Sequence, residues 1–218
     1  MKKISRLCTL AVALVLVLAM ARLSASTETT AMTATVRSAI DRAFVVLNDP
    51  ALMGKEHTAE RRAKVRAAIE DAIDFEEMTK RSLGIHWRKR TDAERGEFTA
   101  LFSELLEDSY MDKIEANYDA KVYFKGEKIN KKGTRGVVKT LVVTRKDTEV
   151  PIDYRMMKKG KGWVAYDIVI EGVSLVSNYR TQFNQIIQNS SYEDLVKGLK
   201  KKLKGRKPYA PKHHHKKG

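Results

Sequence analysis

The sequence predicts an α+β fold, with helices packed on a curved four-stranded antiparallel sheet to form a cone with an apolar cavity. Three observations lead there. Apolar residues recur at helical spacing from residue 27 to about 117, alternate from 121 to 171, and return to helical spacing from 174. The alternating runs are joined by short polar segments, which favour hairpins over crossovers. Helices on one face of a bent sheet enclose a cone, which side chains fill or a ligand occupies.

The first helix is predicted over 27–48, where Met32, Val36, Ile40, Phe44 and Leu47 fall on one face and Asn48-Asp49-Pro50 ends it. Thr58 is placed as the cap of a second helix over 59–73, with Val65, Ile69 and Ile73 on one side and Arg61, Arg62, Lys64 and Arg66 on the other. Asp74 caps a short third helix that Gly84 closes. Thr91-Asp92-Ala93-Glu94 has the form of a capping box. It opens the longest helix, 92–117, with Phe98, Leu101, Phe102, Leu105, Leu106 and Ser109/Tyr110 as a wide apolar stripe.

Four strands follow at 121–129, 134–145, 149–158 and 162–171. The second is apolar on both faces near its end, the mark of a strand covered on both sides. Val150, Ile152, Tyr154 and Met156 share one face of the third. In the fourth, alternation sends Val164, Tyr166, Ile168 and Ile170 one way and Trp163, Ala165, Asp167 and Val169 the other. Leu175, Tyr179, Phe183 and Ile186/Ile187 mark a helix over 174–189. Ser190-Ser191 breaks it, and Tyr192, Leu195, Leu199 and Leu203 mark a last one.

The N-terminus reads as a secretory leader of about 25 residues. Lys2, Lys3 and Arg6 precede an uncharged run from Leu7 to Met20, and the small residues Ser24-Ala25-Ser26 follow. That run is short for a bilayer span. Cys8 lies before it, which does not fit a lipoprotein site, and it is the only cysteine of the chain. Removal of residues 1–25 leaves no thiol or disulfide chemistry. The domain plan is therefore a signal peptide over 1–25, one folded domain over 26–203 and a basic disordered tail over 204–218.

The net charge of +15 is unevenly spread. The leader holds four basic residues, and residues 197–218 hold ten Lys and Arg with no acid. Between them, 28 basic residues stand against 27 acidic ones. The folded body is nearly neutral, so the basicity does not mark a nucleic-acid face on the fold. His213 to His215 lie in the tail; a short His tract without other ligands rarely holds a specific metal, and no role is assigned to it.

No catalytic constellation stands out. His57 and His86, the only histidines before the tail, fall in different loops. Gly-x-Ser-x-Gly, His-Glu-x-x-His, phosphate-loop and Cys/His metal spacings do not occur, and no metal or cofactor is predicted. Glu76-Glu77 and Glu107-Asp108 are sequence neighbours that do not face one another on a helix. The best enzymatic alternative is a small cone-fold isomerase or hydrolase with an apolar ligand, in which Tyr154 or Tyr166 pairs with Asp153 or Asp167. Alternation, however, sets each aspartate on the face opposite its neighbouring tyrosine. The tyrosines then line a pocket and the aspartates point away from it.

The segment Trp163-Val-Ala-Tyr166-Asp167-Ile-Val-Ile-Glu171-Gly172-Val173-Ser174-Leu175-Val176-Ser177-Asn178-Tyr179-Arg180-Thr-Gln-Phe183 resembles the signature of the MlaC family. These are periplasmic phospholipid-binding proteins, also described as toluene-tolerance auxiliary components of an ABC transporter. Leu83-Gly84, Trp87-Arg88, Glu97-Phe98 and the helix from Phe102 to Tyr110 extend the resemblance, which covers roughly 30–200. The Lys-rich tail departs from it, being longer than the family pattern.

The resemblance implies a nuclear-transport-factor-like or cystatin-like cone and no enzymatic activity. It implies a soluble periplasmic carrier that shuttles phospholipid between outer- and inner-membrane transport complexes and supports outer-membrane lipid asymmetry. Its implied partners are an inner-membrane ABC transporter complex, met through its substrate-binding subunit, and an outer-membrane lipoprotein complex. Nucleic acid is not among them. Hopanoid-like lipid is an alternative cargo.

Two acyl chains of roughly fifteen methylenes each cost on the order of 20 kcal/mol to expose to water, so a soluble carrier must enclose them. The expected lining comes from Phe98, Phe102 and Leu105 on the long helix and from Val142, Ile152 and Tyr154 on the middle strands. Tyr166, Ile168 and Ile170 of the last strand add to it, with Val173, Tyr179 and Phe183 beyond. Within the signature, Gly172 turns the strand sharply into the helix. Ser174 caps that helix. Asp167, Glu171 and Arg180 are read as an ion network fixing the corner, and Asn178 completes the string.

Overall fold

The structure, a computed structural model, describes residues 30–204. The leader over 1–25 and nearly all of the tail, with Cys8 and His213 to His215, lie outside the described residues. Four helices come first: α1 (Ala31–Leu47), α2 (Thr58–Ile69), α3 (Phe75–Leu83) and α4 (Asp92–Ala116). The strands β1 (Lys121–Ile129), β2 (Arg135–Val143), β3 (Glu149–Lys159), β4 (Gly162–Ile170) and β5 (Val173–Ser174) follow, then α5 (Leu175–Asn189) and α6 (Tyr192–Leu203). All neighbouring strands pair antiparallel in the order β1-β2-β3-β4-β5. The α+β plan stands, with five strands in place of four. The fifth is two residues long, below the length at which alternation gives a signal.

Local chemistry fixes most helix starts. Thr91 and Glu94 close a full capping box, the Thr91 hydroxyl accepting from the Glu94 amide at 3.2 Å and the Glu94 carboxylate from the Thr91 amide at 2.7 Å. Asp74 caps α3 through the Glu77 amide, and Ser174 caps α5 through the Ser177 amide. Thr58 does not cap α2. It sits inside the first turn, and His57 holds the cap position without a side-chain bond. Nor does α2 run to Ile73. It gives way to a single tight turn over Glu70–Ala72, and Ile73 is extended, bridging to Ala165 beside β4.

Two irregularities shape the sheet. Phe124 pairs with Thr140 and Gly126 with Lys139, leaving Lys125 as an extra residue in β1. In β4, Asp167 pairs with Arg155 and Ala165 with Met156, leaving Tyr166 as the extra residue. A one-residue bulge reverses the face of everything beyond it. Trp163 and Ala165 therefore share a face with Ile168 and Ile170, contrary to the strict alternation expected of this strand.

The core has three centres. One joins α3, α4, α5 and α6 around Phe98, Phe102, Tyr179, Phe183 and Tyr192. A second sets Met32 and Val36 of α1 on Val138, Met156, Trp163 and Ala165 of the sheet. Contact there is close, since a Cβ at Gly136 would meet the Met32 sulfur at 2.6 Å and the Lys128 carbonyl at 2.8 Å. The third, around Leu47, Val65 and Met111, ties α1, α2 and α4 together. Val65 is the only fully buried residue of α2. Ion pairs hold the rest of that helix, with Arg61 and Arg62 on Glu115, Arg62 also on Asp112, and Arg66 on Glu107.

Candidate ligand-binding cavity

The antiparallel register brings Val142 of β2, Ile152 and Tyr154 of β3, and Ile168 and Ile170 of β4 to one face of the sheet. This is the face that α1 covers at its other end. The two ends differ in packing. Under α1, Met32, Val138 and Met156 are 0% exposed. Beyond it, Val142, Ile152, Tyr154, Ile168 and Ile170 are all half-buried. Ile168 and Ile170 pack against the main core, as do half-buried Leu101 and Tyr110 of α4.

Tyr154 shows what this half-burial means. Loss of solvation by burial pushes its phenol up to about 12, with the neighbouring Thr140 hydroxyl acting in the opposite sense. Tyr154 is thus deep in the protein, yet its side chain keeps accessible surface. It packs beside the cluster of Met32, Val138 and Met156, on the same face of the sheet. The surface around it is apolar, with few polar groups to fix a ligand's orientation, the usual makeup of a lipophilic site.

The expected lining residues separate into three groups. Val142, Ile152, Tyr154, Ile168 and Ile170 come together on the inward face of the sheet. Phe98, Phe102, Leu105, Tyr179 and Phe183 do not share their half-burial, for each is 8% exposed or less. Phe102 meets Tyr179 edge-on at 5.1 Å and Phe183 at 5.5 Å, and Phe98 meets Phe183 at 5.4 Å, so these rings interlock as core. The helical stripe was legible, but whether its rings face one another or a void depends on how the helices cross. Tyr166 and Val173 stand apart. The bulge turns Tyr166 toward α3, where Arg81 stacks over its ring at 4.3 Å, and Val173 is 56% exposed on the short edge strand.

The signature residues build the corner between β4 and α5, with different partners from those expected. Asp167 is 2% exposed. It accepts from the Ser174 hydroxyl at 2.6 Å, Arg155 Nη1 at 2.9 Å and the Val176 amide at 3.0 Å. Glu171 and Arg180 are not part of this network. Glu171 is exposed in the turn with φ +49°, beside Gly172 at φ +82°. Arg180 donates its Nε–H to the Arg81 carbonyl at 2.6 Å, tying α5 to the end of α3. Asn178 is exposed on α5.

Asp167 and Asp153 do not approach Tyr154. The register sets both on the opposite face of the sheet, where Asp153 pairs with Lys139 at 4.0 Å. Among the described residues, no cluster of three or more His, Cys, Asp or Glu is placed to hold a metal ion. None of the described helices is long and apolar enough to cross a membrane.

Three features escaped the sequence. Arg155, the partner of Asp167, lies twelve residues away on the next strand. Lys159, which donates to the capping carboxylate of Asp74 at 2.6 Å, lies on β3, far along the chain. The third is an open groove of about 840 Å³ between the end of α3 and α5, bounded by Ile85, Arg88, Arg180, Asn184 and Gln188 among others. The i, i+3, i+4, i+7 spacing of Thr181, Asn184, Gln185 and Gln188 was its one visible trace.

The protein family described as "MlaC protein" matches residues 37–201, which takes in α1 from its second turn, the whole sheet and most of α6. Among solved structures, a phospholipid-binding protein from Ralstonia solanacearum, in complex with a phospholipid, superposes with a TM-score of 0.71 at 26% identity. The match covers 78% of this chain and 95% of that one. No curated protein matches the chain. The match spans the helices, the bulged sheet and the Asp167 corner as one unit, and on that extent the chain belongs to the MlaC family.

Proposed function

We propose that this protein is a non-enzymatic phospholipid carrier of the periplasm, exported by its N-terminal leader, which is then removed. It takes up phospholipid acyl chains against the inward face of the sheet and shuttles them between an outer-membrane lipoprotein complex and an inner-membrane ABC transporter complex. At the inner membrane it meets the transporter's substrate-binding subunit.

The observation that carries this reading is the half-buried apolar face formed by Val142, Ile152, Tyr154, Ile168 and Ile170 in a fold shared with a protein solved with phospholipid bound. Burying a methylene is worth about 0.8 kcal/mol, so a shielded apolar face has a strong affinity for acyl chains. Ile168 and Ile170 rest against the core cluster that holds Phe98, Phe102 and Phe183, and the buried Asp167 network holds the β4–α5 corner. Asp153 and Asp167 lie on the face of the sheet opposite Tyr154, which speaks against Tyr154 as half of an acid–base pair.

Organic extraction of the purified protein followed by lipid mass spectrometry tests this. Phospholipid in about equimolar amount is the expected result. Protein purified from cells without any bound lipid would overturn the reading, and a polycyclic terpenoid in place of phospholipid would redirect it to hopanoid-like cargo.

A further inference from the structure

Helix α6 has two chemically opposite faces. Tyr192, Leu195, Val196 and Leu199 are buried in the main core and Leu203 is 7% exposed, so the helix is firmly seated. The outward side of its last two turns carries Lys197, Lys200, Lys201, Lys202 and Lys204, all exposed. Lys200 pairs with Glu97 at 2.5 Å. Lys201, Lys202 and Lys204 have no carboxylate partner among the described residues. The sequence then continues with Arg206, Lys207, Lys212, Lys216 and Lys217 and no acid to residue 218.

A few lysines in a last turn complement the helix dipole. Ten basic residues without one acid over 197–218, on a body with 28 basic and 27 acidic residues, exceed that need. Clustered like charges repel one another and call for an anionic counterpart.

We propose that the lysine face of α6 is a docking surface for an anionic lipid bilayer, with the basic sequence beyond it adding to the attraction. The choice of a bilayer rests on the carrier reading above, since a carrier loads and unloads at membranes. The residue chemistry favours it as well. Nine of the ten charges are lysines, compact point charges suited to a diffuse headgroup layer. Nucleic-acid grooves instead draw on aromatic platforms and arginine, and this stretch offers one tyrosine, Tyr209, and one arginine beyond its helix. Because α6 is anchored in the core, its lysine face is held fixed on the folded domain.

The test uses purified protein without its leader, floated with phosphatidylcholine vesicles that contain or lack phosphatidylglycerol. Binding is expected only with phosphatidylglycerol and is lost as salt is raised. Each lysine near an anionic surface multiplies affinity about fivefold, so the triple variant Lys201→Gln, Lys202→Gln, Lys204→Gln binds about a hundredfold more weakly, and deletion of 205–218 weakens binding further. These side chains are exposed, and an unchanged melting curve verifies the fold. Equal binding to both vesicle types, wild-type binding by both variants, or displacement from vesicles by duplex DNA at matched charge overturns the proposal. Lipid extraction of the same samples keeps the two readings apart. Normal cargo without vesicle binding removes only the docking surface, whereas vesicle binding by protein without cargo removes only the carrier reading.

Discussion

Arg155 on β3 and Asp167 on β4 meet across their strand pair, the Arg155 guanidinium donating to the Asp167 carboxylate at 2.9 Å. The arginine is 42% exposed at its side chain and the aspartate 2%. The aspartate is the fixed member, since it also receives the Ser174 hydroxyl and the Val176 amide. Asp167→Ala removes all three bonds and orphans a buried amide. A loss of about 2–3 kcal/mol is expected, below the cost of breaking a fully buried pair because Arg155 keeps its water. Asp167→Asn retains the shape and costs less. Urea denaturation of both variants measures the difference.

Phe102 and Ile152 were expected in the same lining, and the structure separates them. Phe102→Ala opens a hole in an interlocked ring cluster and should cost about 3–5 kcal/mol. Ile152→Ala removes a half-buried side chain and should cost under about 2 kcal/mol. Ile152→Trp fills space at the sheet face, so the protein should stay folded while its bound phospholipid falls. Thermal melts paired with lipid quantification distinguish the two roles.

Tyr154 and Tyr192 make stability sensitive to alkali. Burial pushes both phenols up to about 12, with the Glu94 carboxylate adding to the shift at Tyr192. In the unfolded chain they ionise near 10. Below pH 10 both states are neutral and stability is unaffected by these groups. From about 10 to about 12 the unfolded chain releases protons that the folded protein keeps, so stability falls by up to about 1.4 kcal/mol per pH unit for each tyrosine. Denaturant midpoints across that range in wild type, Tyr154→Phe and Tyr192→Phe test this, with each variant losing part of the slope.

Glu115 receives Arg61 at 2.9 Å and Arg62 at 2.6 Å, and it is 14% exposed. Glu115→Gln should destabilise by about 1.5–3 kcal/mol, the range for hydrogen bonds to charged groups. The loss should be local, because α2 buries so little else. Amide hydrogen exchange is expected to accelerate in α2 and to stay unchanged in β2 and β3. Uniform acceleration across the chain would refute this account of how α2 is held.

Much of this was legible from residues close together in the chain. The Thr91–Glu94 capping box, the Asp74 and Ser174 caps and the polar hairpin tips each act over a few residues, so their spacing encodes the geometry. The strand spans from 121 to 170 followed for the same reason, since alternation needs only a run of neighbours. Thr58 shows the limit of this approach. It has the right side chain for a cap, but α2 is positioned by arginines reaching Glu107, Asp112 and Glu115 on another helix, and the chain enters the helix one residue earlier.

The candidate site was legible in type and not in arrangement. Ile152, Tyr154, Ile168 and Ile170 stand out as apolar residues on strands, and strand pairing brings them together. The aromatic stripe on α4 stands out on the same ground, and its rings close on those of α5. Tyr166 was misplaced by a single bulge. Periodicity cannot reveal an extra residue, because the bulge exists only relative to the partner strand.

By itself, the sequence determined the α+β class, the order of the helices and of the four long strands, and family membership through the string from Trp163 to Phe183. The class and the elements depend on local propensity, caps and period, and the family on the resemblance of that string. The tertiary structure decided which apolar residues interlock and which keep free surface, that Asp167 pairs with Arg155 and not with Arg180, and that β4 changes face at Tyr166. Each of these depends on the distance between residues far apart in the chain, which strand register and helix crossing set and no local pattern contains.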